Sequence, residues 1–194
     1  MSDSISKKGR PIVFSAPSGA GKTTIIREVR KELPGLEFSV SSTTRPIRSG
    51  ETAGVDYDYI SHEEFEKAIQ DDDFIEYEKV HIHYYGTRKS KVDHLLESGK
   101  DIIFDLDVLG ALSIKRFYPE SLLIYIDVLS KNVLHQRLIS RGREDEAEIA
   151  KRLERYEMER SKASEFTFKV INDKLDIAVK EVVDIVRDYR NRSL

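Results

Sequence analysis

Near the start of the chain, Ala16-Pro17-Ser18-Gly19-Ala20-Gly21-Lys22-Thr23-Thr24 sets a run of small residues against a lysine and two hydroxyls. Apart from Ala16, which stands where a glycine is expected, the run matches G-x-x-x-x-G-K-[ST]. Small residues let successive backbone N–H groups turn inward around an anion, and a following helix brings its positive end to the same spot. Lys22 is then within reach of the β- and γ-phosphates of a nucleoside triphosphate, and the Thr23 hydroxyl is a ligand for Mg²⁺. If Ala16 needed a positive φ, its Cβ would cost on the order of 1–2 kcal/mol. The alternative is a glycine-rich strand–helix turn that holds no ligand.

A second group of residues suits a second anion. Phe38 to Glu51 reads Phe-Ser-Val-Ser-Ser-Thr-Thr-Arg-Pro-Ile-Arg-Ser-Gly-Glu, placing Arg45 and Arg48 three apart behind a run of hydroxyls. Guanidinium groups capture phosphate or carboxylate oxygens in pairs. Taken alone, the stretch reads better as a polar surface turn with solvated arginines. Further along, Arg137, Arg141, Arg143 and Arg152 gather around Gly142, beside the acidic Glu144-Asp145-Glu146. Four arginines in so short a span repel one another unless acids or a bound anion lie between them. His81 and His83 would share a strand face but have no supporting carboxylate cluster, and Asp71-Asp72-Asp73 reads as a solvated turn.

These residues need a frame. Pro11 to Ser15 reads as a short buried strand running into the small-residue loop, and the helix after it stops at Pro34-Gly35. Asp101–Leu106, Leu122–Asp127 and Phe168–Ile171 are further buried-strand candidates. Strands alternating with helical patterns imply a parallel α/β sheet covered on both faces. Residues 36–90 break that rhythm with tyrosines, glycines and short alternating runs. Their one helix signal is Ser61–Gln70, where Ser61 and Glu64 have capping-box spacing. This stretch reads as an inserted β-rich lobe, residues 130–165 as a charged, mobile helical lid, and 9–35, 91–129 and 166–194 as the core of a single domain. In the last helix, Val179, Val182, Val183, Val186 and Tyr189 share one face.

Composition narrows the function classes. The 194 residues carry 32 basic and 35 acidic side chains, a formal charge of −3, so a polyanion binder with a dominant basic excess is not indicated. There are no cysteines for disulfides or thiolate metal sites. The longest apolar runs, such as Leu122–Ile126, fall far short of the roughly 20 residues of a membrane helix. A cytoplasmic protein with no membrane or nucleic-acid polymer as partner is the expectation, either monomeric or homo-oligomeric.

Taken in order, these pieces resemble the guanylate kinase family over nearly the whole chain. The matching strings are Ser-Ala-Pro-Ser-Gly-Ala-Gly-Lys, Ser-Val-Ser-Ser-Thr-Thr-Arg-x-x-Arg-x-Gly-Glu, Gly54-Val55-Asp56-Tyr57, Phe74-Ile75-Glu76, Tyr84-Tyr85-Gly86-Thr87, Asp105-Leu106-Asp107 and Val170-Ile171-Asn172-Asp173. The resemblance implies a phosphate-loop α/β fold with a GMP-binding lobe and a lid, and transfer of a phosphoryl group from ATP to GMP or dGMP with Mg²⁺. It implies that Ala16 to Thr24 and Asn172 hold ATP. Arg45, Arg48, Tyr57 and Tyr85 would hold the GMP phosphate, while Ser41, Thr87 and Glu76 would read the guanine. A carboxylate at Glu76 offers two acceptors to the two adjacent donors of guanine, where adenine would present a lone pair. Lys22, Arg137, Arg141, Arg152 and Asp105 would neutralise or orient the transferring group; Asp105 and Asp107 would both lie at the GMP site, one orienting Mg²⁺ waters and the other the acceptor nucleotide. Three places depart from the common pattern: Leu109, Asp127-Val128-Leu129, and Ile82-His83. Catalytically inactive scaffold modules with the same fold, and kinases for dTMP or AMP, are the competing readings. The intact Gly21-Lys22-Thr23 argues against the first, and Glu76 with Ser41 against the second.

Overall fold

The computed structural model of the chain describes residues 8–141 and 145–192, without the Arg141 side chain; Gly142, Arg143 and Glu144 lie outside the described residues. Along the chain come β1 (Pro11–Ser15), α1 (Lys22–Glu32), β2 (Leu36–Phe38), β3 (Ser42–Thr43), β4 (Asp58–Tyr59), α2 (His62–Gln70), β5 (Phe74–Val80) and β6 (His83–Arg88). Then follow α3 (Lys89–Glu97), β7 (Asp101–Asp105), α4 (Val108–Phe117), β8 (Leu122–Asp127), α5 (Lys131–Arg141), α6 (Glu146–Ser161), β9 (Phe168–Ile171) and α7 (Leu175–Asn191).

The central sheet is parallel throughout, in the order β2-β7-β1-β8-β9. Its strands are apolar on both faces because helices cover both. Alternation assigns each side chain to a face. Ile12, Phe14, Ile103, Ile124 and Ile126 pack with Ile25 and Val29 of α1 and Val182 and Val186 of α7. Val13, Ile102, Phe104, Leu123 and Tyr125 pack on the other side with Val92 and Leu96 of α3 and Val108 and Ile114 of α4. In the register, Phe14 lies beside Asp105, so the loop leaving β1 and the acidic end of β7 emerge together at the carboxyl edge. That edge is where parallel sheets hold their ligands.

The second sheet, β4-β3-β6-β5, belongs to the inserted lobe. Its strands β3 and β4 are only two residues long, and Phe65, Ala68 and Phe74 form a small separate core beside Tyr84. Helix α2 is capped as its sequence suggests: Glu64 N–H donates to Ser61 Oγ, and Glu64 Oε2 accepts the Ser61 N–H at 2.8 Å. A register shift between Phe74 and Glu76 leaves Ile75 as an extra residue on β5. Adjacent Phe74 and Ile75 thereby both face inward, Phe74 into the lobe core and Ile75 into the main core. The bulge joins the two cores and re-aims Glu76. Gly86, paired with Tyr77 next to the bulge, has no room for a side chain: a Cβ would come within 2.8 Å of Phe74 Cδ1 and Tyr77 Cβ.

One boundary differs from the sequence expectation. Leu36–Phe38, read as the start of the lobe, pairs with β7 in the main sheet, and Ser39 N–H extends that pairing to Ile103 O at 2.8 Å. Three residues are too few for alternation to mark a strand. The helices of the 130–165 segment are docked, since Leu134, Leu138, Ile149 and Tyr156 belong to the same core cluster as α1 and α7. Among the described residues, no helix is long and apolar enough to cross a membrane.

Candidate active site

The phosphate loop sits on a fully buried strand and is braced from behind. Ala20 O accepts Asn172 Nδ2–H at 2.7 Å, and an Arg137 Nη1–H reaches the same oxygen at 3.5 Å. Arg137 Nη2 donates to Asn172 O at 2.8 Å, tying α5 to the end of β9. Gly21 has φ 95°, a left-handed conformation, and a Cβ there would lie 2.4 Å from Asn172 Nδ2. Glycine is therefore required twice over, by its dihedral and by the brace. Ala16 is not among the positive-φ residues, so the departure from the motif carries no strain.

In front of the loop lies a cavity of about 600 Å³ lined by Ala16 to Gly19, Gly21 to Thr24, Asp107, Lys151, Arg152, Arg155 and Glu159. Lys22 Nζ is held at its mouth, 2.7 Å from Asp105 Oδ1 and 2.8 Å from Leu106 O. Arg152 Nη1 donates to Ser18 Oγ, linking α6 to the loop. Of the residues expected to hold the triphosphate, Ala20 and Asn172 line no part of this cavity: they are the brace behind it. Arg137 is likewise part of the brace, and the Arg141 side chain lies outside the described residues.

A second cavity, about 530 Å³, opens between the lobe and the sheet edge. Ser41, Tyr57, Glu76, Tyr85, Asp105 and Asp107 line it, drawn from segments far apart in sequence. Glu76 is fixed by a Thr87 Oγ1–H donated to Oε1 at 2.5 Å. Burial pushes the Glu76 carboxyl above its ordinary pKa; the Thr87 hydroxyl opposes this, while Asp107 and Glu78 add to it. Asp107 is the N-cap of α4, its Oδ1 accepting Gly110 N–H at 2.9 Å.

Arg45 adjoins this cavity, and its bidentate partner here is a carboxylate. Its Nη1 and Nη2 donate to Glu51 Oε2 and Oε1 at 3.0 and 2.7 Å, and its guanidinium lies over the Tyr57 and Tyr59 rings. Glu51 also accepts the Arg48 N–H and the Tyr59 hydroxyl, each at 2.8 Å. Its pKa is held down to about 2, first by the Arg45 fork and then by the Arg48 amide. Glu51 orients Arg45, a role the sequence reading did not assign; its signal was a carboxylate six residues on in the same loop. Arg48 itself is exposed and lines neither cavity. Asp73, read as part of a solvated turn, takes Arg88 at 2.7 Å and both the N–H and hydroxyl of Ser90, pinning the α2–β5 turn to the β6–α3 junction. His81 lies in the β5–β6 turn with φ 56° and does not share a strand with His83. Of the departures, Leu109 lines the second cavity, and Asp127 is wholly buried with Lys169 Nζ at 2.7 Å.

The parallel five-stranded sheet, with Gly-Lys-Thr opening α1 at its carboxyl edge, defines an α/β phosphate-loop nucleotide-binding fold. Comparison with known proteins narrows the class. The guanylate kinase family model matches residues 8–189. The chain is 43% identical to the guanylate kinase of Chlorobium luteolum over 97% of its own length and 96% of that protein's. It is 45% identical to that of Thermotoga maritima over 94% of its length and 88% of the relative's. The crystal structure of guanylate kinase from Anaplasma phagocytophilum superposes with a TM-score of 0.70 at 22% identity, covering 97% of this chain and 90% of that one, a likeness of fold. This chain belongs to the guanylate kinase family.

Proposed function

We infer that the chain transfers the γ-phosphoryl group of ATP to GMP or dGMP, giving ADP and GDP or dGDP. The observation that carries the reading is the pair of adjoining cavities: one is built on the phosphate loop, and the other has Glu76 fixed on its lining. In this reading the first cavity is the donor site and the second the acceptor site. Glu76 pairs with the N1–H and exocyclic amine of guanine, beside Ser41. Tyr57, Tyr85 and Arg45 meet the acceptor phosphate, with Arg48 swinging in from its exposed loop. Because Arg45 already has a carboxylate partner in Glu51, its guanidinium arrives oriented.

An acceptor phosphate is nucleophilic without a base, so catalysis rests on alignment and charge neutralisation. Lys22 moves from Asp105 to the phosphates of the donor or bridges the two. Arg152, already on the loop through Ser18, covers the triphosphate from the lid, and the docked lid keeps water from competing as acceptor. The Thr23 hydroxyl lines the donor cavity, a hard oxygen that fits Mg²⁺, an ion otherwise carried by phosphates and water. Bound there, the ion would draw charge from the β- and γ-phosphate oxygens. Residues 40–88 act as the acceptor lobe and 130–165 as the lid of one domain. The cytoplasm, where both nucleotides are pooled, is the compartment this reading implies.

A coupled ADP-release assay run separately with GMP, dGMP, AMP, CMP, UMP and dTMP tests the reading. Product with the guanine nucleotides alone is expected. Turnover with AMP or dTMP equal to that with GMP would reject it.

A further inference from the structure

A phosphoryl group passing between the two cavities must cross the wall they share. The linings of the two cavities have two side chains in common, Asp107 and Arg155. Arg155 stands on α6 one turn beyond Arg152, so both project from the same face of the lid helix. Its Nε donates to Glu159 Oε1 at 2.7 Å, and its Nη2 to Asp107 Oδ2 at 2.7 Å. Both acceptors are anchored. The Glu159 side chain is only 6% exposed, and the other oxygen of Asp107 is committed to the cap of α4. Two of the five guanidinium N–H groups thus fix the plane, and three remain for a ligand.

An exposed ion pair is ordinarily worth little, and an arginine on a charged helix ordinarily needs no explanation. Glu159 makes this one different. Burial pushes its pKa up, and Arg155 is the first group opposing that shift. A buried acid beneath a half-exposed arginine holds the cation at one place.

We propose that Arg155 is a further catalytic residue, which contacts the phosphoryl group in transit and neutralises its charge. The inference rests on the donor and acceptor reading of the two cavities. In the step it serves, an acceptor phosphate oxygen forms the new O–P bond. The bond from γ-phosphorus to the β,γ-bridging oxygen breaks, and its electron pair leaves with ADP. Arg155 neither gains nor loses a proton.

The test is steady-state kinetics on Arg155→Ala and Arg155→Lys, with calorimetry of GMP and of a non-hydrolysable ATP analogue. Arg155→Ala should lower kcat by about 10- to 100-fold, on the lower side of removing one preorganised donor. Both nucleotide affinities should stay within about threefold. Arg155→Lys keeps the charge but cannot span Glu159 and Asp107 with donors to spare, so it should recover only part of the loss. It also serves if the alanine variant fails to fold. A kcat within threefold of wild type in the folded variants, or a loss matched by weaker GMP binding, would leave Arg155 a lid ion pair only. Wild-type protein that releases no ADP with GMP would overturn the kinase reading and this inference with it; active wild type beside an equally active variant overturns the inference alone.

Discussion

The donor and acceptor sites are built by opposite means. The donor site is one contiguous loop between a buried strand and a helix, with its back carbonyl held by Asn172 and Arg137. Its rigidity is that of the main core. The acceptor site is assembled from four short segments of the lobe, the β7–α4 junction of the main core and Arg155 of the lid, and the lobe's own core is three residues with a few neighbours. What holds that lobe is largely polar: Arg45 on Glu51, Arg88 on Asp73, and Lys91 on Asp58. Phosphate recognition recurs in one geometry, so a rigid prebuilt loop serves it. Base recognition needs one carboxylate placed against one edge, and a polar lobe can place it while still moving.

The largest test of that contrast falls on Glu76. Two charge-assisted hydrogen bonds are worth about 1.5–3 kcal/mol each, so Glu76→Ala should lose on the order of 10²–10⁴ in kcat/KM for GMP with the ATP KM intact. The raised pKa adds a second expectation. The fold favours neutral Glu76, so the ionised form costs stability at pH above its pKa, and Glu76→Gln should leave the Tm at neutral pH unchanged or higher. The GMP kcat/KM of wild type should fall as pH descends through that raised pKa, because a protonated Glu76 loses one of its two acceptors. A loss under fivefold at Glu76 would mean guanine is read elsewhere.

Next comes Lys22→Met, which should cut kcat by about 10²–10³ with GMP affinity little changed. Near-normal turnover would remove Lys22 from the mechanism.

A smaller effect belongs to Glu51, which acts through Arg45. Glu51→Gln should raise the GMP KM by about tenfold and leave the ATP KM alone. With its pKa held down to about 2, Glu51 contributes stability fully above the ordinary carboxylate range. That contribution is lost as pH falls toward that value. Acid titration followed by tyrosine fluorescence should show the lobe loosening in that window in wild type, with the step missing from the variant.

Smallest of all is Asn172→Ala. Arg137 still reaches Ala20 O, so the loss should be about 1 kcal/mol of stability, with a few-fold rise in ATP KM. Equal rises in the ATP and GMP KM would argue against a brace confined to the donor side.

The same contrast explains what could be read from sequence. The phosphate loop was legible because its parts are adjacent, β8 because it is one buried apolar run, and β9 because its apolar residues sit just before Asn172-Asp173; their bounds match Leu122–Asp127 and Phe168–Ile171. Ser61 and Glu64 announced α2 because a capping box is local. The acceptor residues were named through family resemblance, since nothing in the spacing of Ser41, Glu76 and Tyr85 brings them together; the β5 bulge and the antiparallel β3-β6-β5 pairing do. Roles that depend on a partner distant in the chain were missed. Asn172 and Arg137 turned out to brace the loop, Asp73 to pin the β6–α3 junction, and Arg155 to meet Asp107 across 48 residues. A charged residue on a helix carries no sign of which carboxylate the fold will set before it.

The central claim is that the two sites are separately built and separately read. The most direct test is to titrate GMP, and in turn a non-hydrolysable ATP analogue, into wild type, Glu76→Gln and Lys22→Met by calorimetry. Glu76→Gln should weaken GMP by about 100-fold or more and leave the ATP analogue within twofold, while Lys22→Met leaves GMP within twofold. Weakening of both nucleotides to the same degree by either substitution would contradict the account.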